Sequence, residues 1–166
     1  MATVTLKGNP IHTSGELPAV GTVAPDFALT SQTLQDVGLS AFAGKKVVLN
    51  IFPSVDTGTC AMSVRQFNAA IAAHADAVCL CISRDLPFAF KRFCGAEGLE
   101  NVHTLSELRS LGFGETYGVR LLDGPLAGLL ARSVVVLSAD GTIVYTQLVG
   151  ETADEPDYAA ALAALA

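Results

Sequence analysis

The chain has 166 residues, 51% hydrophobic and 16% charged, which is enough apolar material for the core of one domain spanning 1–166. Its formal net charge is -6 and its ten Lys and Arg residues form no cluster, which argues against nucleic acid or an anionic membrane surface as a partner. No apolar run approaches the roughly 20 residues of a membrane span, and Met1–Gly8 has no basic stretch leading into an apolar core, so a cytoplasmic protein is expected.

From the N-terminus, Thr3–Leu6 and Ile11–Ser14 read as the strands of a hairpin around Lys7-Gly8-Asn9-Pro10. Leu17 to Pro25 is a loop punctuated by Pro18, Gly21 and Pro25. Phe27–Thr30 and Val37–Leu39 are short strands, and Val47–Phe52 is an apolar run of the kind covered on both faces. From Cys60 to about His74 the pattern is helical, with Val64, Phe67 and Ile71 three and four apart. Val78–Ile82 is a second buried strand. Pro87 suits a first helical turn, and Phe88–Ala96 follows as a helix ending near Gly95 or Gly98. Val102–Leu105 is a short strand and Ser106–Leu111 a short helix. Ser133–Leu137 and Thr142–Leu148 flank the turn Ala139-Asp140-Gly141, and Pro156–Leu165 closes the chain as a helix. Strands and helices alternate in the middle, and a hairpin and a helix end the chain. The expected fold is α/β and thioredoxin-like, a central mixed β-sheet flanked by helices on both faces, with an added N-terminal β-hairpin.

The chemistry concentrates at Cys60. A buried strand runs into the turn Pro53-Ser54-Val55-Asp56-Thr57-Gly58-Thr59, and Cys60 opens the next helix. A helix N-terminus carries partial positive charge and free N–H groups, which favour an anionic, reactive sulfur. Thr57 lies three residues before Cys60, so its hydroxyl can reach the sulfur or a bound oxygen. It can equally act as an N-cap, a role for which Asp56 and Thr59 compete. Pro53 stiffens the loop and removes an N–H. Arg132 places a charge at the opening of the apolar strand Ser133–Leu137, where it needs a partner if buried and none if it sits at a surface edge. Cys94 follows Lys91-Arg92-Phe93 on a helix, either as a second functional thiol or as a small buried hydrophobe. Cys79 and Cys81 alternate on one strand, face the same side and read as core residues. There is no C-x-x-C pair, and His12, His74 and His103 are scattered without ligand spacing, so no metal site is expected.

The segment Phe52-Pro53-Ser54-Val55-Asp56-Thr57-Gly58-Thr59-Cys60 resembles the peroxidatic motif of the peroxiredoxins, Pro-x-x-x-Thr-x-x-Cys. Ser83-Arg84-Asp85-Leu86-Pro87, Arg92-Phe93-Cys94-Gly95 and Asp123-Gly124-Pro125-Leu126 extend the likeness to the bacterial thiol peroxidase subfamily, which are atypical two-cysteine peroxiredoxins. The resemblance covers nearly the whole chain. It implies a thiol-dependent peroxidase in which Cys60 is the peroxidatic cysteine and Cys94 the resolving one. Thr57 and Arg132 then activate the peroxide and Pro53 shields the pocket. It also implies a Cys60–Cys94 intrachain disulfide, thioredoxin as reductant, a homodimer, and no metal, haem or flavin. Cys79 departs from the pattern, an extra thiol where an aliphatic residue is expected.

A disulfide requires Cα atoms roughly 4.4–6.8 Å apart, so cysteines on separate helices imply local unwinding in each cycle. An active-site surround of Phe, Leu and Val favours alkyl or lipid hydroperoxides over hydrogen peroxide. A thioredoxin-type oxidoreductase is the main rival, but Thr57 stands where its first cysteine would be. A redox switch without peroxidase turnover is the other.

Overall fold

The N-terminal hairpin pairs β1 (Thr3–Leu6) with β2 (Asn9–His12) antiparallel. Its turn is only Lys7 and Gly8, both in the left-handed region (φ 52° and 82°), the geometry of a two-residue hairpin loop. The second strand therefore starts earlier than Ile11, and Pro10 falls inside it opposite Thr5, where an edge strand tolerates the missing N–H. The structure, a computed structural model, describes residues 1–110 and 112–166.

Among these residues the second sheet has seven strands. They are β3 (Leu29–Thr30), β4 (Asp36–Val37), β5 (Lys46–Ile51), β6 (Ala77–Ser83), β7 (Val102–Ser106), β8 (Ser133–Leu137) and β9 (Ile143–Leu148), in the order β4-β3-β7-β6-β5-β8-β9. Strands β5, β6 and β7 are parallel and are joined by helices α1 (Gly58–Ile71) and α2 (Pro87–Glu97). The outer pairs are antiparallel. Short helices α3 (Gly112–Thr116) and α4 (Tyr158–Ala163) complete the layers.

The period-2 alternation of β5 divides the core. Val47, Leu49 and Ile51 join Leu80, Ile82, Val135, Phe113 and Tyr117 on one face. Val48 and Phe52 join Cys79, Cys81, Val64, Phe67, Phe90 and Ala161 on the other, beneath α1, α2 and α4. Helices thus cover both faces, although the first side is served mainly by α3, the hairpin and loops.

Several boundaries move. Strands β3 and β4 shrink to two residues each, and Leu39–Phe42 is a 3₁₀ turn. The helix expected at Ser106–Leu111 does not form over its first five residues, and Leu111 lies outside the described residues. Ser106 ends β7 opposite Ser83 and Thr30. Glu107 turns inward to a buried ion pair with Arg120, which a solvent-exposed helix could not supply. The last helix is shorter than Pro156–Leu165, because Asp157 accepts from Ala160 N–H at 3.0 Å and sets its start. No helix of the described residues is long and apolar enough to cross a membrane.

Candidate active site

Strand β5 stops where its sequence removes the ladder donor. Phe52 N–H still reaches Ile82 O at 3.1 Å. Pro53, which is buried, has no N–H to continue the ladder, so the chain leaves the sheet. The loop that follows is held by Asp85, just beyond β6. One carboxylate oxygen accepts from Ser54 Oγ at 2.7 Å, and the other accepts from Val55 N–H at 2.7 Å and Ser83 Oγ at 2.5 Å.

Thr57 is the residue before α1, and its carbonyl accepts from Ala61 N–H at 2.9 Å. Its hydroxyl does not cap the helix. It donates to Ser54 O at 2.9 Å instead. Asp56 pairs with Arg92 at 2.7 Å and Thr59 Oγ1 donates to Ala153 O at 3.0 Å, so neither rival caps the helix either. The Thr57 side chain makes no cap hydrogen bond, and no side chain among the described residues accepts from the first-turn N–H groups, which leaves that end of α1 positive.

Helix α1 starts two residues earlier than expected, so Cys60 is its third residue. It is fully buried, in an apolar cluster with Phe52, Val55, Val64 and Phe90. Its carbonyl accepts from Ser63 Oγ at 2.7 Å. Ser63 in turn accepts from Asn50 Nδ2 at 3.1 Å, which ties this turn to β5. Arg132, immediately before β8, is 3% exposed, which rules out a surface edge position. Its Nη2 donates to Cys60 Sγ at 3.4 Å. Nε and Nη2 also reach Thr152 O at 3.1 and 2.9 Å. Arg132 Nη1 is buried without a hydrogen-bond partner among the described residues. None of the ion pairs among the described residues includes Arg132. The buried guanidinium thus has a sulfur and one carbonyl as neighbours and keeps a donor free for an oxygen.

Cys94 is buried on α2, and burial pushes its thiol up to about 11; the neighbouring Cys81 adds to that, while Gln32 opposes it. It lines a cavity of about 630 Å³ together with Gln32, Phe42, Lys91 and His103. The structure brings Cys60 and Arg132 together, with Thr57 one turn away. It keeps Cys60 and Cys94 as free thiols on different helices. Arg65 joins those helices through a forked pair to Glu97 (3.0 and 2.9 Å) and lies over the Phe93 ring at 5.6 Å. Cys79 and Cys81 are fully buried on β6, and burial, then Cys81, holds the Cys79 thiol far above its ordinary range.

Asp85, Asn50 and Glu151 carry this geometry and were not singled out by composition or spacing. An acidic residue past a strand end reads as solvated, and an asparagine in an apolar run reads as an exception. Nothing local to Glu151 reports its partners in the N-terminal hairpin, Thr5, Lys7 and Gly8, which lie more than 140 positions away.

The Redoxin family matches residues 19–162 of the chain. The thiol peroxidase of Mycobacterium tuberculosis is 60% identical over 165 residues, covering 99% of both chains. That of Corynebacterium glutamicum is 56% identical, again over 99% of both. Among solved structures, a peroxiredoxin-like protein from Aquifex aeolicus superposes with a TM-score of 0.93 at 34% identity, covering 99% of this chain and 96% of that one.

Proposed function

We propose a two-cysteine cycle, and it proceeds from one premise: the chain belongs to the Redoxin family and is a thiol-dependent peroxidase. The observation that carries the site assignment is Arg132 Nη2 at 3.4 Å from Cys60 Sγ, with Nη1 buried and unpartnered beside it. Cys60 thiolate attacks the terminal peroxide oxygen. The O–O bond breaks, Cys60 becomes a sulfenic acid, and the alkoxide or hydroxide leaves and takes a proton. Arg132 and the first-turn N–H groups stabilise the charge on the leaving oxygen. Thr57 holds the peroxide through its hydroxyl lone pairs, its proton being committed to Ser54 O. Pro53 keeps a competing N–H out of the loop.

Cys94 thiol then condenses with the sulfenic acid, forming the Cys60–Cys94 disulfide and releasing water. The two residues sit on different latched helices, so the first turn of α1 or the body of α2 unwinds for this step. A dithiol protein of the thioredoxin type reduces the disulfide and restores both thiols. The apolar cluster around Cys60 favours alkyl and lipid hydroperoxides over hydrogen peroxide. The free thiols suit a reducing cytoplasm. A homodimer would cover Leu86 and Phe88, exposed at the start of α2 (49% and 62%).

Intact mass and peptide mapping after one equivalent of peroxide provide the test. The wild type should lose two hydrogens and yield a Cys60–Cys94 linkage. Cys60→Ser should not turn over, and Cys94→Ser should be oxidised once and stall. A linkage through Cys79 or Cys81, or turnover by Cys60→Ser, overturns the cycle. A higher kcat/KM for hydrogen peroxide than for an alkyl hydroperoxide overturns the substrate preference.

A further inference from the structure

We infer that Glu151 is a positioning residue for the first oxidation, acting on Arg132 through the peptide bond that joins Thr152 to Ala153. The inference rests on the assignment of Arg132 as the residue that activates peroxide. Thr152 O takes both Nε and Nη2 of Arg132, and among the described residues it is the one carbonyl that holds the guanidinium. The N–H of the same peptide unit, from Ala153, donates to Glu151 Oε1 at 3.1 Å. That peptide plane is therefore gripped at both ends, by the carboxylate on one side and the guanidinium on the other.

The carboxylate is itself fixed by the N-terminal hairpin. Oε2 accepts from Thr5 Oγ1 at 2.7 Å and Gly8 N–H at 3.1 Å, and Oε1 accepts from Lys7 N–H at 2.9 Å. Backbone bonds flank the same residue, with Thr5 N–H on Gly150 O and Thr152 N–H on Thr5 O, both at 2.7 Å. Ala153 O accepts from Thr59 Oγ1 in the first turn of α1. One four-residue segment thus touches the hairpin, the arginine and the turn that carries Cys60.

The physical consequence follows from the fork geometry of arginine. Rotating the 152–153 peptide moves the acceptor shared by Nε and Nη2, and Nη2 cannot then stay on Sγ while Nη1 keeps its aim. A carboxylate on the N–H also polarises the peptide and strengthens its carbonyl as an acceptor. The hairpin lies outside residues 19–162, the span that matches the Redoxin family, yet it braces the residue that activates peroxide.

The experiment is a double-mutant cycle on the single-turnover rate of Cys60 oxidation, comparing wild type, Arg132→Lys, Glu151→Ala and the double variant. Arg132→Lys should slow oxidation roughly 100-fold, and an unchanged rate there overturns the assignment of Arg132 itself. Glu151→Ala should slow oxidation about tenfold in the wild-type background and add nothing in the Arg132→Lys background. An equal slowing by Glu151→Ala in both backgrounds, or none in the wild type, overturns the role of Glu151 and leaves the role of Arg132 intact. Should near-UV dichroism show that Glu151→Ala is unfolded, Glu151→Gln takes its place. It keeps one acceptor oxygen and should slow oxidation about threefold in the wild-type background alone.

Discussion

Thr57 and Asp85 share the work of shaping the turn that leads to Cys60. The Thr57 hydroxyl spends its proton on Ser54 O. Asp85 then takes the Ser54 hydroxyl and the Val55 N–H, so the loop is fastened from β6 and not from its own helix. Asp85→Ala strands a backbone N–H and two hydroxyls in a half-buried site, each costing about 1–3 kcal/mol when left without an acceptor. With partial rescue by water, a loss of roughly 2–3 kcal/mol is expected. It should appear as a lower urea midpoint at unchanged m-value, together with slower Cys60 oxidation. Asp85→Asn, which keeps one acceptor oxygen, should lose less than half as much. Cys60 and Arg132 were legible in the sequence because each breaks a pattern: a thiol where a helix opens, and a charge at the mouth of an apolar strand. Asp85 was not, because the Ser54 hydroxyl and the Val55 N–H that it fastens lie about 30 positions upstream, and the Ser83 hydroxyl beside it, which it also accepts, does not announce them.

Helix α2 was legible as an element, since Pro87 suits its first turn and Gly98 takes the left-handed conformation that ends it (φ 66°). Helix α3 was not, because Gly112 and Gly114 oppose helix formation. Stacking of Phe113 on Tyr117, with centroids 4.6 Å apart, supplies what propensity lacks. What the sequence could not convey about α2 is how firmly Cys94 is locked in. Its carbonyl accepts the N–H groups of both Gly98 and Leu99, and the Arg65–Glu97 and Arg92–Asp56 pairs strap the helix to α1 and its leading loop. Burial holds the Cys94 thiol up at about 11 against an ordinary 9.0, so the closed helix favours the neutral thiol. The stabilising effect is complete below about pH 9 and is lost as pH rises toward 11, because only the unwound helix ionises readily in that window. Trypsin cleavage after Lys91 or Arg92 in the reduced protein should therefore accelerate as pH rises from about 9 toward 11. Measured against a flexible peptide substrate, that acceleration should vanish in Cys94→Ala. Equal acceleration in both proteins would mean that some other group opens the helix.

At the scale of the whole molecule, two of the joins between the hairpin and the rest of the fold respond differently to pH. Val4 and Ile11 are buried in the core cluster shared with Leu121 and Val135, an apolar contact indifferent to pH. Glu151 supplies the other join, and it titrates. The Thr5 hydroxyl, then the N–H groups of Gly8, Lys7 and Ala153, pull its carboxyl down to about 2 from an ordinary 4.5. A carboxyl depressed in the folded state contributes stability above its unfolded value and loses it as pH falls through its folded value. The contribution is therefore complete above about pH 4.5 and gone near pH 2. Comparing the urea midpoints of wild type and Glu151→Gln isolates it, because the other lowered carboxyls, Asp123 and Asp140 among them, are common to both proteins. The gap between the midpoints should be constant from pH 7 to about 5, narrow below that, and close near pH 2. The apolar join survives acid, so hydrogen exchange at about pH 2 should show the Lys7 and Gly8 amides losing protection while Val4 and Ile11 keep theirs. Simultaneous loss at all four amides would mean that the carboxylate, and not the apolar contact, holds the hairpin to the sheet.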